Sequence, residues 1–302
     1  MSGVASKPAN RAGDRPRTRV PSRGRRRVSA ATIRAGILSV VLVPILFVWT
    51  YPFIWTVATS LKTNQEVYDG LNLMPQVLQL GNYIRAWEEA NIGRYFVNTV
   101  LVTGGSVLIS VIAVALMGYV LGRYRFPGKK IVIGAFALAV FLPEGYTVIP
   151  VFDLINALGL SDSLWGLTLA ESGGAHVVPT LLFAGYFSQL PNELEEAAKL
   201  DGAGFFRIFW RVYLPLAKPV TATAIILQFM HSWNDFLLPL VLTLPNPELR
   251  TLSVGIYSFQ GEYFSDWSGM AAAVTIGLAP IVILFLFLQR YFVEGVAGAV
   301  KQ

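Results

Sequence analysis

Six stretches of mostly apolar residues, at about 36–60, 95–122, 131–150, 165–187, 220–242 and 269–289, constrain this chain more than any other feature of it. About 20 such residues in a helix cross the ~30 Å hydrocarbon core of a bilayer. No water reaches that core to satisfy a backbone N–H or C=O, so a spanning segment must be a helix or part of a closed barrel. None of the six alternates apolar with polar residues at period two, which removes the barrel. The expected fold class is all-α and integral to a membrane, with six transmembrane helices. Composition agrees: 14% of the 302 residues are charged and 54% are hydrophobic, whereas a soluble domain carries about a quarter charged residues.

Charge sets the orientation. Residues 1–34 hold Lys7 and nine Arg against the single Asp14, a net +9, so a chain of net charge +6 carries −3 over the remainder. This tail is rich in Arg, Pro, Ser and Gly without apolar periodicity, and is expected to be disordered. Abutting a hydrophobic span, it reads as a cytoplasmic flank touching anionic membrane lipid rather than as a nucleic-acid-binding arm. The run that begins at Ile37 is too long for a signal-peptide core, and no Ala-x-Ala cleavage pattern adjoins it. With the N-terminus inside, 20 of the 24 Lys and Arg fall on the cytoplasmic side, and only Lys62, Arg85, Arg94 and Arg250 fall outside. Both termini are therefore expected in the cytoplasm. The domain reading is a tail over 1–34 and a transmembrane domain over 35–302.

Much chemistry is missing. The chain has no Cys and only His176 and His231, which excludes disulfides, thiolate sites and a His-rich metal centre. It contains no Gly-x-x-x-x-Gly-Lys-[Ser/Thr] loop, no His-Glu-x-x-His, no Gly-x-Ser-x-Gly and no dinucleotide fingerprint. The turn from Arg123 to Lys130 lacks the spacing of a phosphate loop and reads as a positive-inside Pro-Gly turn. No catalytic residue, cofactor or metal is expected.

The charged stretch 188–219 is the most informative part of the chain. Asn192 is placed as an N-cap, with Glu195 three residues on in a capping-box pattern. Glu193, Glu195 and Glu196 occupy the first turn, where the helix dipole favours acids. Gly202 and Gly204 end that helix. A second arm follows, with Phe205, Phe206, Ile208, Phe209, Trp210 and Val212, too short to cross a bilayer. Pro215 is expected to close it at Leu214, since the residue before proline disfavours helix geometry. The result is a cytoplasmic helix-turn-helix with Ala197 and Ala198 on its first arm. Small residues suit a docking surface, and equally a helix pair that merely seals the bundle.

Here the chain resembles the permeases of bacterial ABC importers. Glu196-Ala-Ala-x-x-x-Gly202 followed by Val212-x-Leu214-Pro215 is similar to their cytoplasmic signature, with Val212 where Ile is usual. The resemblance extends to the maltose-type carbohydrate permeases through Ile149–Leu154, Leu158–Leu160, Leu190–Pro191, Glu193–Glu195 and Asp201–Ala203. It continues through Leu214–Pro219, Trp233–Phe236, Thr251–Gly255, Trp267–Ala272, Phe287–Tyr291 and Gly295–Lys301. What it implies is a bacterial inner-membrane subunit that pairs with a second, related permease to form the pore. Two cytoplasmic ABC ATPase subunits would drive it, and an extracytoplasmic solute-binding protein would deliver the solute. The segment 188–219 would dock on the ATPase through Glu196, Ala197, Ala198, Asp201, Gly202, Leu214 and Pro215. The implied solute is a di- or oligosaccharide, with glycerol-phosphate-type solutes as the alternative. An ion-coupled secondary transporter usually carries more spans and an internal repeat, and an intramembrane enzyme would need a catalytic constellation.

Ionisable groups within spans cost about 2.5–3.5 kcal/mol on insertion scales and mark candidate functional sites. Asn234, Asp235 and His231 lie in the fifth span, Glu171 and His176 in the fourth. One reading is a solute path, with amide and carboxylate groups for sugar hydroxyls and Trp233 as a ring face; the other is polar contact between helices. Glu144 reads as reaching exterior water and His176 as marking a helix break. Tyr263 and Trp267 read as interfacial anchors, and 151–164 as an amphipathic helix at the outer surface.

Overall fold

The computed structural model describes residues 30–70, 72–141, 144–173, 176–261 and 265–300. The basic tail before Ala30, Tyr263 and the side chain of Glu144 lie outside them. Packing divides the chain into two units, Met1–Tyr51 and Pro52–Gln302. The first contributes the N-terminal part of helix α1 (Ala30–Ser60), whose large side chains from Leu38 to Trp49 are apolar and exposed. Such a surface suits hydrocarbon rather than water.

The second unit is a helical bundle. Two short helices, α2 (Asn64–Tyr68) and α3 (Gly81–Ile84), precede α4 (Ile92–Arg123). At 32 residues α4 is about 48 Å long at 1.5 Å per residue, enough to cross the bilayer and extend beyond it. After it come α5 (Lys129–Ala139), α6 (Val148–Ala157), α7 (Leu164–Ser172) and α8 (Val177–Ser188). Next are α9 (Glu193–Leu200), α10 (Phe205–Ile208), a π turn at Phe209–Tyr213 and α11 (Leu214–Leu216). The chain ends with α12 (Lys218–Asn234), α13 (Leu237–Thr243), α14 (Leu252–Tyr257) and α15 (Trp267–Val300).

Three of the six expected spans form single helices long and apolar enough to cross a membrane: Leu38–Ser60, Ile92–Arg123 and Trp267–Gln289. The other three are interrupted. The 131–150 run divides into α5, a 3₁₀ turn at Glu144–Thr147 and the start of α6. The 165–187 run divides into α7 and α8, and the 220–242 run into α12 and α13. A fourth span is available if Phe205–Leu216 and Lys218–Asn234, bent by 85°, are taken together.

At the ends of α7 and α12, backbone groups freed by the break find partners. At the end of α7, the Glu171 carbonyl accepts from Gln228 Nε2 at 3.0 Å and the Ser172 carbonyl from Ser110 Oγ at 3.1 Å. At the end of α12, Asp235 turns extended (ψ 135°) and its Oδ1 accepts from Leu237 N at 3.1 Å. Ser253 Oγ donates to the Asp235 carbonyl. Pro179 and Pro239 sit in the first turns of α8 and α13, where a missing N–H leaves no bond unmade.

Helix α4 is the hub, packed on α7, α8 and α12. Lipid is as apolar as a leucine side chain, so close helix approach here depends on small residues rather than on expulsion of water. Gly118 and Gly122 supply it: a Cβ at Gly118 would collide with Phe183, and one at Gly122 would lie 2.8 Å from the Ala184 carbonyl of α8. The ends of the bundle are also sorted. The segments following α1 and preceding α15 meet at one end, where Arg85 pairs with Asp266 at 2.9 Å and Asn64 Oδ1 accepts from Trp267 N at 2.9 Å. The 188–219 stretch meets the C-terminus of α4 at the other end.

Candidate functional site

The 188–219 segment folds as two arms joined by a tight turn. Helix α9 closes at Gly202, whose φ of +73° lies in the left-handed region that favours glycine. Gly204, extended at ψ 172°, leads into α10. Three local expectations change. Asn192 does not cap α9 with its side chain; its Oδ1 instead accepts from Arg123 Nη2 at 2.7 Å. Glu195 closes no capping box, because its carboxylate points into the bundle. Pro215 does not end the second arm at Leu214. The π turn there bonds Leu214 N to the Phe209 carbonyl, and the helix runs on to Leu216 before the chain bends at Ala217.

The inner face of the segment is an aromatic cluster. Tyr119 of α4 lies 4.8 Å from Tyr213, 5.1 Å from Phe205, 5.5 Å from Phe209 and 6.0 Å from Phe187, centroid to centroid. Arg123, its side chain 5% exposed, stands beside it. Its guanidinium donates to Glu195 Oε2 (3.3 Å), Asn192 Oδ1 (2.7 Å) and the Leu190 carbonyl (2.8 Å), and lies 5.2 Å from the Tyr213 ring centroid. Glu195 also accepts from Tyr213 Oη at 3.2 Å and pairs with Lys199 at 2.8 Å. Burial pushes the Glu195 carboxyl up, but the hydrogen bond and charge of Lys199, with the bonds from Tyr213 and Arg123, outweigh it and hold the group below the ordinary carboxylate range. The Glu195 carboxylate in turn holds Lys199 above its usual range.

The outer face is open. Glu196, Ala197, Asp201, Gly202 and Pro215 are exposed, and Ala198 and Leu214 are half-buried against the aromatic cluster. Beside them two large apolar side chains stand in the open, Leu200 at 90% and Phe206 at 64% exposure. The residues singled out for docking therefore share one end of the bundle, and most of them share an uncovered face.

The polar residues of the broken helices also converge. Glu171 of α7, 1% exposed, lies with His231 and Asp235 so that one ligand-type atom of each falls within 4.8 Å of the others. That spacing can hold a hydroxyl-bearing group by hydrogen bonds, and it is the grouping among the described residues that could hold a cation. His176, at the break, contacts the Ser172 carbonyl through Nε2. Asn234 is exposed and donates to the Met230 carbonyl of its own helix at 2.8 Å. Trp233 is buried, stacked on Phe229 at 5.0 Å, with its N–H donating to the Gly277 carbonyl at 3.2 Å. With Asn234 it lines a small cavity of about 130 Å³ between α12, α14 and α15.

Sequence reasoning read Arg123 only as a positive-inside charge and Glu195 only as a capping acid. A signal existed for Glu195: on a helix it shares a face with Ala198 and Lys199, not with Glu196. Nothing local marked Arg123, or Tyr119 as the centre of the cluster.

Comparison with known proteins places this geometry in context. The model of the family described as "Binding-protein-dependent transport system inner membrane component" matches residues 115–298. The chain is 34% identical over 252 residues to a probable ABC transporter permease of Bacillus subtilis, covering 83% of each. It is 30% identical to the diacetylchitobiose uptake system permease of Streptomyces coelicolor, covering 85% of this chain and 86% of the relative. It is 32% identical to the melibiose/raffinose/stachyose import permease of Bacillus subtilis, covering 83% and 91%. Among solved structures it is similar, with a TM-score of 0.73 and 26% identity, to a chain of a bacterial ABC transporter involved in the import of the acidic polysaccharide alginate. That alignment covers 87% of this chain and 98% of the other.

Proposed function

The chain belongs to the family of binding-protein-dependent transport inner membrane components, and from that premise we propose that it forms half of the translocation pathway of an ATP-driven importer for a di- or oligosaccharide. It pairs with a second, related permease. One of two cytoplasmic ATPase subunits docks on the 188–219 end of this chain, and an extracytoplasmic binding protein presents the solute at the other end. Both termini lie in the cytoplasm of a bacterial cell, and the chain carries no catalytic group of its own.

The observation that carries the coupling role is the contrast between the two faces of the segment. Its inner face is fastened by aromatic packing and a buried ion pair, while its outer face leaves Leu200 and Phe206 uncovered beside Glu196, Ala197 and Gly202. Apolar groups of this size in the open at a polar end of a bundle mark a surface that another protein covers. A short rigid helix pair then transmits closure of the ATPase as a body movement instead of absorbing it in a loop. The carbohydrate assignment draws on the relatives, whose names include diacetylchitobiose, melibiose, raffinose and stachyose.

Solute passes near the broken helices, where Glu171, His231 and Asp235 gather and His176 stands at the α7–α8 break, while Asn234 and the buried Trp233 line a neighbouring cavity. Interrupted helices placing polar groups near mid-membrane are the arrangement that transporters of other folds use for solute.

The test is reconstitution of the four-component transporter in proteoliposomes with a panel of labelled di- and trisaccharides. Wild type is expected to accumulate at least one of them with ATP. Glu196→Ala, on the exposed face, is expected to insert normally while solute-stimulated ATP hydrolysis falls several-fold. Normal hydrolysis and uptake in that variant would return the segment to a sealing role.

A further inference from the structure

We propose that Arg123 is the positioning residue that locks the 188–219 segment to the bundle in one orientation, so that movement of the outer face reaches α4 and α8 without slip. This rests on the reading of that segment as the ATPase-facing element and adds the part that transmits.

The geometry is unusually convergent for one side chain. Arg123 ends α4, and its guanidinium reaches the Leu190 carbonyl beyond the C-terminus of α8, Asn192 and Glu195 at the start of α9, and the ring of Tyr213 in the second arm. Four pieces of chain thus meet on one planar group. Aromatic packing already holds the segment against the bundle, but apolar contact is non-directional and resists separation better than sliding or rotation. A guanidinium is a planar fork whose donors bond along fixed directions, so it opposes the movements that packing permits. Glu195 completes the joint from below, bonded at once to Arg123, Tyr213 and Lys199. A charged pair at 5% and 12% side-chain exposure does more to specify an arrangement than to stabilise it.

A lysine at 123 keeps the charge but loses the fork, and a glutamine keeps hydrogen bonding but loses the charge. Each should leave the docking face intact, since Arg123 lies beneath it. The experiment uses the assembled transporter in proteoliposomes, with the saccharide that wild type takes up best. Two quantities are read: uptake per ATP hydrolysed, and the distance distribution between spin labels at Leu108→Cys and Glu193→Cys. This chain has no native cysteine, so the purified double-cysteine chain is labelled before it is assembled with its partners. We expect Arg123→Lys and Arg123→Gln to bind the ATPase as wild type does and to hydrolyse ATP, with uptake per ATP falling at least threefold. The label distance should broaden in the ATP-bound state only in these variants. A wild-type ratio and a narrow distance in both variants would overturn the proposal, even if Glu196→Ala remained defective. Failure of both variants to accumulate in the membrane would also overturn it, by making Arg123 a folding residue. Loss of the effect of Glu196→Ala would instead undo the underlying reading of the segment.

Discussion

Gly202 shows how one residue sets the shape of the turn in the proposed docking segment. Its φ of +73° places it where a residue with a Cβ is strained by about 1–2 kcal/mol. Nothing lies within 4 Å of a Cβ built there, so the strain is conformational and not a clash. Gly202→Val is therefore expected to leave the bundle folded but to reopen the turn between α9 and α10. Pull-down of the ATPase subunit should fall clearly for Gly202→Val and less for Gly202→Asn, since asparagine visits this region more readily. Equal recovery of all three proteins would show that turn geometry does not matter to docking. Glu195 and Glu196 make the same point from the other side. They are neighbours of identical chemistry, yet the helix turns one inward to Arg123 and the other to solvent.

At the scale of elements, two contacts carry most of the argument. The first is α4 against α8, where Gly118 and Gly122 let the backbones approach. Overpacking a tight contact costs about 1–3 kcal/mol, so Gly118→Leu should lower the melting temperature of the detergent-solubilised protein or prevent its accumulation. An unchanged melting curve would mean that this contact is looser than the geometry indicates. The second is α9 against the end of α4. Because the Glu195 carboxyl is held below its ordinary value of 4.5 when folded, its stabilising contribution is fully present above that pH. It disappears as the pH falls through the lower folded value. Amide exchange in α9 should therefore accelerate, relative to α4, as the solution is taken below the ordinary carboxyl value. The step should be absent in Glu195→Gln. The extent of these elements was partly legible beforehand. The two arms of the segment and the Gly202 turn follow from the acidic first turn and the φ preference of glycine, whereas the side-chain cap expected at Asn192 is absent and the continuation through Pro215 follows from a π turn that no local rule announces.

For the molecule as a whole, the sequence contains no phosphate-cradling loop, in keeping with the proposed separate ATPase subunits. The purified chain, free of partner subunits, is expected to bind no ATP and to hydrolyse none; equilibrium binding of a labelled nucleotide and a phosphate-release assay would check this. Hydrolysis by this polypeptide alone would overturn its assignment as a permease subunit. The whole-chain view also explains why interrupted helices persist in a bundle of this kind. Gln228, Ser110 and Ser253 each reach across to a backbone carbonyl freed at a break. Polar residues on α4, α12 and α14 thus hold the broken helices while leaving Glu171, His231 and Asp235 gathered at one place.

By itself the amino-acid sequence determined that this chain is helical and lives in a membrane, where its polar connections lie, and that residues 188–219 form two short arms about a glycine turn. Those properties are sums of local terms: transfer of side chains into hydrocarbon, capping, and backbone preference at Gly and Pro. Only the tertiary structure decided which apolar runs stay continuous and which break. A hydropathy window counts side chains, but a helix can break in hydrocarbon only if another helix supplies partners for the freed carbonyls. It also decided that Glu195, and not Glu196, faces the bundle, because beside the local Lys199 it meets a buried cation, Arg123, that stands 72 residues away at the end of α4. Local patterning cannot report such a meeting, since it exists only once α4, α8 and α9 have packed.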